Sequence, residues 1–205
     1  AARVLAATER YRQFILPPMF KALAAFSKVH EYSWHTPGHT GGTGFMHSPA
    51  GRAFFNFFRE PVFRSDLSIS VGELGSLLDH SGPIGESEKY TARVFGADRT
   101  YHVTNGSSTS NRVILMASVT RNQVALCDRN CHKSVEHAIT LSGAIPTYLI
   151  PTRNRYGIIG PITSDRLTSD AVRQTIAENP LVGEGIDPTP VHAIITNSTY
   201  DGLCY

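Results

Sequence analysis

From residue 86 onward the chain alternates short apolar runs with amphipathic stretches, and that alternation restricts its fold more than any other feature. Strands are predicted at 100–105, 123–128, 145–150 and 191–197, and helices at 86–95, 109–119, 132–142 and 164–178, with Gly, Asn or Ser marking the boundaries. Parallel strands need a long crossover to return the chain to its starting edge, and a helix is the usual one. The pattern therefore implies βαβ units: an α/β fold with a largely parallel sheet flanked by helices and right-handed crossovers. Ligands of such sheets bind beyond the carboxyl ends of the strands. Three polar segments fall there, at 104–111, 128–134 and 196–202.

The first 85 residues read differently. Apolar residues at helical spacing, Val4, Leu5, Phe14, Ile15, Phe20, Leu23 and Phe26, predict a helical lead-in that Pro17-Pro18 must break or restart. From Tyr32 to about Asp79 the chain is rich in Gly, Pro, His and Phe without a lasting period. It carries too many aromatics to stay solvated, so an ordered, packed loop region is expected. At the other end an apolar strand runs out just before Tyr205 with its βα unit opened and not closed. The chain is thus expected to be part of something longer.

Composition removes several classes of function. A net charge of +2 over 205 residues, with no basic stripe, gives no electrostatic case for nucleic acid or a membrane surface. Apolar runs such as Val124-Ala125-Leu126-Cys127 fall far short of the roughly 20 residues a membrane span needs. Glu9 and Arg10 interrupt the N-terminus before the apolar core of a signal peptide could form. Three cysteines, Cys127, Cys131 and Cys204, are an odd and sparse set that argues against a disulfide framework and for a reducing compartment, the cytoplasm.

The chemistry-bearing residues sit in the polar segments. Strand, Gly106-Ser107-Ser108-Thr109 turn and helix together offer unpaired backbone N–H groups and hydroxyls to a phosphate. The turn lacks the lysine of a P-loop and the three glycines of a dinucleotide fingerprint, which counts against a nucleotide. The same hydroxyls could simply cap the helix. His132, after the second strand, is a candidate to stack on a ring, or a half-exposed histidine satisfying a carbonyl. Cys127, Cys131 and His132 supply too few convergent ligands for zinc, and Cys127 is expected to face the core. His35 and His39 have the spacing of a helical metal pair, but Pro37-Gly38 between them argues against a helix, so no metal site is expected. Asp79-His80-Ser81 suggests a triad only by adjacency, and no Gly-x-Ser-x-Gly elbow accompanies it.

The segments Leu74-Gly75-Ser76-Leu77-Leu78-Asp79-His80-Ser81-Gly82, Phe95-Gly96-Ala97-Asp98, Thr104-Asn105-Gly106-Ser107-Ser108-Thr109-Ser110-Asn111, Asp128-Arg129-Asn130-Cys131-His132-Lys133-Ser134 and Thr196-Asn197-Ser198-Thr199-Tyr200-Asp201-Gly202 follow one another in this order. Together they resemble the bacterial ornithine/lysine/arginine decarboxylases. The resemblance covers nearly the whole chain. It implies the pyridoxal-phosphate fold type I (aspartate-aminotransferase) architecture, with a helical linker over 1–35 and an incomplete cofactor-binding major domain over 36–205. By the same resemblance Ser107, Ser108 and Thr109 would hold the phosphate of pyridoxal 5'-phosphate, with Ser108 and Thr109 the better candidates. His132 would be the catalytic residue that stacks on the pyridine ring, and Thr199 and Asp201 would lie near the ring's hydroxyl side. The 77–82 stretch would line an active-site edge shared across a dimer, with dimers assembling further into decamers.

The family's Schiff-base lysine and the aspartate that pairs with the pyridine nitrogen are both expected downstream of the Thr-Tyr-Asp-Gly strand. Lys133 comes too early and is not that lysine. The implied reaction is decarboxylation of a small basic amino acid to an amine and carbon dioxide. Arg153-Asn154-Arg155-Tyr156-Gly157 and the residues near Arg99 lean toward arginine. Ser68-Ile69-Ser70-Val71, Val103-Thr104-Asn105-Gly106 and 196–203 lean toward lysine and cadaverine, which is narrowly favoured. Ornithine, or a non-catalytic relative that keeps the fold as a dimer or scaffold, are the alternatives.

Overall fold

The structure is a computed structural model that describes residues 2–29, 34–68, 71–199, 202 and 204, with the backbone alone at 12 and 13. The chain divides into two compact units, Ala1–His102 and Val103–Tyr205. In the first, α1 (Ala2–Ile15) and α2 (Pro18–Phe26) are separated at the proline pair, and Pro18 occupies the first turn of α2, where its missing N–H costs nothing. Two further helices, α3 (Pro49–Phe58) and α4 (Glu60–Ser65), occupy the stretch expected to be loop. Ser48 caps α3 by accepting the Gly51 N–H at 2.9 Å.

The phenylalanines of this region pack on one another. Phe55 and Phe63 stack at 5.3 Å with an interplanar angle of 8°, and Phe63 is buried. Gly42, at φ 92°, lies under Phe55, where a Cβ would come within 2.6 Å of the ring. Only glycine fits there without moving the aromatic cluster. Helix α5 (Gly82–Phe95) ends at Gly96 in the left-handed conformation.

The second unit contains the sheet. Helix α6 (Ser107–Ser118) leads to β1 (Val124–Asp128), α7 (Lys133–Ser142), β2 (Ile145–Leu149), α8 (Ser169–Ala177) and β3 (Pro190–Ile194). All three strands are parallel, in the order β2-β1-β3. Leu115 of α6, Val119 just beyond its end, and Val135, Ala138 and Ile139 of α7 bury Ala125 and Cys127 on one face. Leu126 and Leu149 meet Val172 of α8 and Ile162 from the segment before it on the other. The two crossovers step in opposite directions across the sheet and lie on opposite faces, as a single handedness of crossover demands.

Several boundaries differ from expectation. No strand forms at 100–105: residues 100–103 take no regular structure and lead into a turn at Thr104-Asn105. The His102 N–H, which a ladder would need, is instead bonded at 2.9 Å to the buried carboxylate of Glu88 on α5. The last strand is shorter than 191–197. The helix expected over 164–178 is divided at Thr168, whose hydroxyl accepts the Ala171 N–H at 3.3 Å and starts α8 afresh after a short 3-10 turn, Ser164–Leu167.

Candidate active site

Helix α6 lies against the sheet with its direction fixed at both ends. Ser118, its last residue, bonds the His192 Nδ1 of β3 at 2.8 Å. Asn111, one turn into the helix, donates to Ser134 at the start of α7 at 2.9 Å. The N-termini of α6 and α7 therefore meet at the carboxyl edge of the sheet. Two helices opening at one edge bring partial positive charge and unpaired N–H groups together, the condition for binding an anion.

Gly106 occupies the N-cap of α6 at φ 81°, and no side chain caps this helix. The first amides with a backbone acceptor are those of Thr109, bonded to the Gly106 carbonyl at 3.0 Å, and Ser110, bonded to the same carbonyl at 3.3 Å. Ser107 and Ser108 make no hydrogen bond among the described residues, through either hydroxyl or amide. The capping explanation for these two serines thus fails, and their donors are free for a ligand. Thr109 differs: its hydroxyl donates to the Asn105 carbonyl at 3.4 Å, which leaves its oxygen lone pairs as acceptors only.

His132 is the N-cap of α7. Its Nδ1 accepts the Ser134 N–H at 3.1 Å and lies 2.8 Å from the Ser134 hydroxyl, while the residue as a whole is exposed. The capping role and the stacking role are compatible, because the cap uses Nδ1 alone and the residue stays exposed. Four residues earlier, the carboxylate of Asp128 is 1% exposed and accepts both the backbone N–H and the hydroxyl of Thr196, the latter at 3.1 Å. This clamp ties the chain leaving β3 to the end of β1. Beyond it, Thr199 is half-buried and its carbonyl accepts the Gly202 N–H at 3.1 Å. Asp201 lies outside the described residues.

The cysteines flank this edge. Burial and a hydrogen bond to Cys131 push the Cys127 thiol far above its ordinary range, the hydrogen bond being the larger cause. The same bond holds Cys131 below it. Neither belongs to a cluster able to hold a metal ion among the described residues. His35 and His39 are in bends and turns, with His39 Nε2 3.1 Å from the Asp66 carboxylate. His80 is not part of a serine triad either: its Nδ1 is 2.9 Å from Glu88.

Residues 17–205 match the profile of the Orn/Lys/Arg decarboxylase major domain. The chain belongs to that family. It is 52% identical over its whole length to the biodegradative arginine decarboxylase of Escherichia coli (strain K12) and 51% identical to the lysine decarboxylase LdcA of Pseudomonas aeruginosa. In each case it spans 27% of the relative's length. The solved structure of lysine decarboxylase A from Pseudomonas aeruginosa superposes on the whole chain with a TM-score of 0.87 at 50% identity. The α/β architecture and the family resemblance read from the sequence both stand.

Sequence reasoning named Ser107, Ser108, Thr109 and His132, and the fold brings the elements carrying them to one edge. It gave no role to Asn111, Ser134 or the Asp128–Thr196 clamp. The available signal was polarity on an apolar face: Asn111 lies one turn before buried Leu115, and Ser134, 1% exposed, precedes buried Val135.

Proposed function

We propose that the protein containing this chain is a pyridoxal-phosphate-dependent decarboxylase of a small basic amino acid, and that this chain supplies the phosphate end and the stacking histidine of its site. The observation that carries the reading is the pair of serines, Ser107 and Ser108, whose hydroxyls and amides are unspent at the mouth of α6 beside a fixed, outward-facing His132. A phosphate dianion fits that donor set and the local field. A substrate carboxylate would use the same donors, but would give the flat face of His132 nothing to stack on.

In this reading Ser107 and Ser108 donate to the phosphate, Thr109 completes the first turn around it, and His132 lies against the pyridine ring. Thr199 and Asp201 approach from the end of β3. When bound, the cofactor is an electron sink that accepts the pair left as the carboxylate departs as carbon dioxide. The protein's part is to keep that sink planar and oriented, and the rigid N-terminus of α7 suits that task. Linker 1–35 and major-domain segment 36–205 remain our domain assignment. We place the protein in the cytoplasm, in keeping with free cysteines at 127, 131 and 204, as a homodimer assembling into a larger homo-oligomer such as a decamer.

Lysine is favoured over arginine and ornithine by the sequence segments named above, and relatives named for lysine and arginine decarboxylation are equally similar, at 51% and 52% identity. The test is reconstitution of the full-length apoprotein with pyridoxal phosphate, followed by absorbance. His132→Ala is expected to weaken cofactor binding by about tenfold or more, given the ~1 kcal/mol typical of a stacked aromatic contact and the lost area. Carbon dioxide release from lysine, arginine and ornithine then ranks the substrates. Absence of a cofactor band in the wild-type protein would sink the assignment.

A further inference from the structure

We infer that Asn111 and Ser134 are positioning residues that fix the orientation and the tautomer of His132 through a hydrogen-bond relay from α6 to α7. Ser134 N–H points at His132 Nδ1 at 3.1 Å. A backbone amide can only donate, so Nδ1 is the acceptor and the ring proton of the neutral imidazole resides on Nε2. Asn111 Nδ2 donates to Ser134 Oγ at 2.9 Å, which turns the hydroxyl's own hydrogen toward His132 Nδ1, 2.8 Å away. Ser134 is 1% exposed, so its hydroxyl finds no water to compete for either bond.

The relay has a consequence that a simple cap lacks. A cap needs only the Ser134 amide and the ring nitrogen. The second donor, made directional by Asn111, pins the ring against rotation about its own bonds, and it comes from the same helix whose first turn offers Ser107 and Ser108. The orientation of the stacking plane is thereby referenced to the phosphate cradle, one turn away on α6. At metal sites, outer partners that orient a ligating histidine change affinity by about 10-fold to 100-fold without touching the metal.

This inference rests on His132 stacking against the cofactor, and the experiment separates the two. Full-length apoprotein carrying Asn111→Ala, Ser134→Ala or both is titrated with pyridoxal phosphate, and the dissociation constant and the induced circular dichroism of the bound cofactor are read. The dichroism reports the orientation of the ring relative to its surroundings, which mere loosening of α6 would leave unmoved at saturation. Each single variant is expected to weaken binding about fivefold to twentyfold and to change the dichroism, with the double variant no worse than Ser134→Ala alone.

Repeating Asn111→Ala in a His132→Ala background should abolish its effect. If Asn111→Ala and Ser134→Ala leave both readouts unchanged while His132→Ala weakens binding, the relay is refuted and the site stands. If His132→Ala itself changes nothing, the site reading fails first. Should one of the two alanine variants not fold, the other decides alone, since either breaks the same chain of bonds. Additive effects would also overturn the relay.

Discussion

Removing the Asp128 carboxylate should loosen the end of β3 by an amount the structure allows to be worked out. Asp128→Ala removes the acceptors of both Thr196 donors, the N–H and the hydroxyl. Each hydrogen bond to a charged group contributes roughly 1.5–3 kcal/mol, but deleting the carboxylate also returns the cost of having buried it. The half-buried Thr196 hydroxyl can turn to another partner, whereas its amide cannot. The uncompensated part is therefore about 2 kcal/mol, mostly the orphaned amide. At about 1.4 kcal/mol per factor of ten, local opening should become roughly 30-fold more frequent. Hydrogen exchange of the full-length protein, followed by mass spectrometry on a peptide spanning 190–199, reads that ratio directly.

Asp128→Asn keeps the shape and one acceptor oxygen, and should accelerate exchange only about fivefold or less, for a loss under ~1 kcal/mol. A peptide spanning 145–149, on the far side of β1, should be unaffected in both. If Asp128→Ala leaves the 190–199 peptide within twofold of wild type, the clamp is not what holds β3. If Asn is as damaging as Ala, the negative charge and not the acceptor geometry matters.

Further expectations concern other parts of the chain. Leu115→Ala opens a cavity beneath α6, where the side chain is 1% exposed, and should cost about 2–5 kcal/mol, measured as a lower urea midpoint. Gly85→Ala would drive a Cβ into the His80 carbonyl from inside α5. It should displace the His80 backbone, break the His80–Glu88 bond, and expose the 76–88 peptide to faster exchange. Ser107→Ala with Ser108→Ala should weaken pyridoxal phosphate binding by roughly tenfold to a hundredfold while leaving the affinity for unphosphorylated pyridoxal nearly unchanged, a comparison that isolates the phosphate. Iodoacetamide at neutral pH should modify Cys131 well ahead of Cys127, because the bond between them lowers one thiol and raises the other. Equal labelling of the two by peptide mass would contradict that polarity.

The central strand was legible because it is buried on both faces, the signature of a parallel layer: all five residues of Val124–Asp128 are buried. The caps were legible too, as Gly143 closing α7 illustrates. What misled was partnership at a distance. Tyr101, Val103 and Thr104 have the composition of a strand, yet the donor of His102 is claimed by Glu88, fourteen residues away on a helix. Helices α3 and α4 were hidden because they are short, ten and six residues, and lie in a stretch punctuated by glycine and proline. At the site, Ser107, Ser108 and His132 announced themselves by residue type. Asn111 and Ser134 did not, since their role depends on two helices packing side by side, which no local pattern encodes.

The strand order β2-β1-β3 has a consequence for how the chain acquires its site during synthesis. β1 pairs first with β2, its neighbour in sequence across α7, while the edge destined for β3 stays open until the much later segment after α8 has emerged. That open edge belongs to the strand that carries Asp128 and leads into His132. For as long as it waits, the unpaired backbone of that edge is open to pairing with another chain, at the expense of the carboxyl edge where α6 and α7 open. The buried carboxylate at the end of β1 then fastens the chain leaving that late strand, through the N–H and the hydroxyl of Thr196.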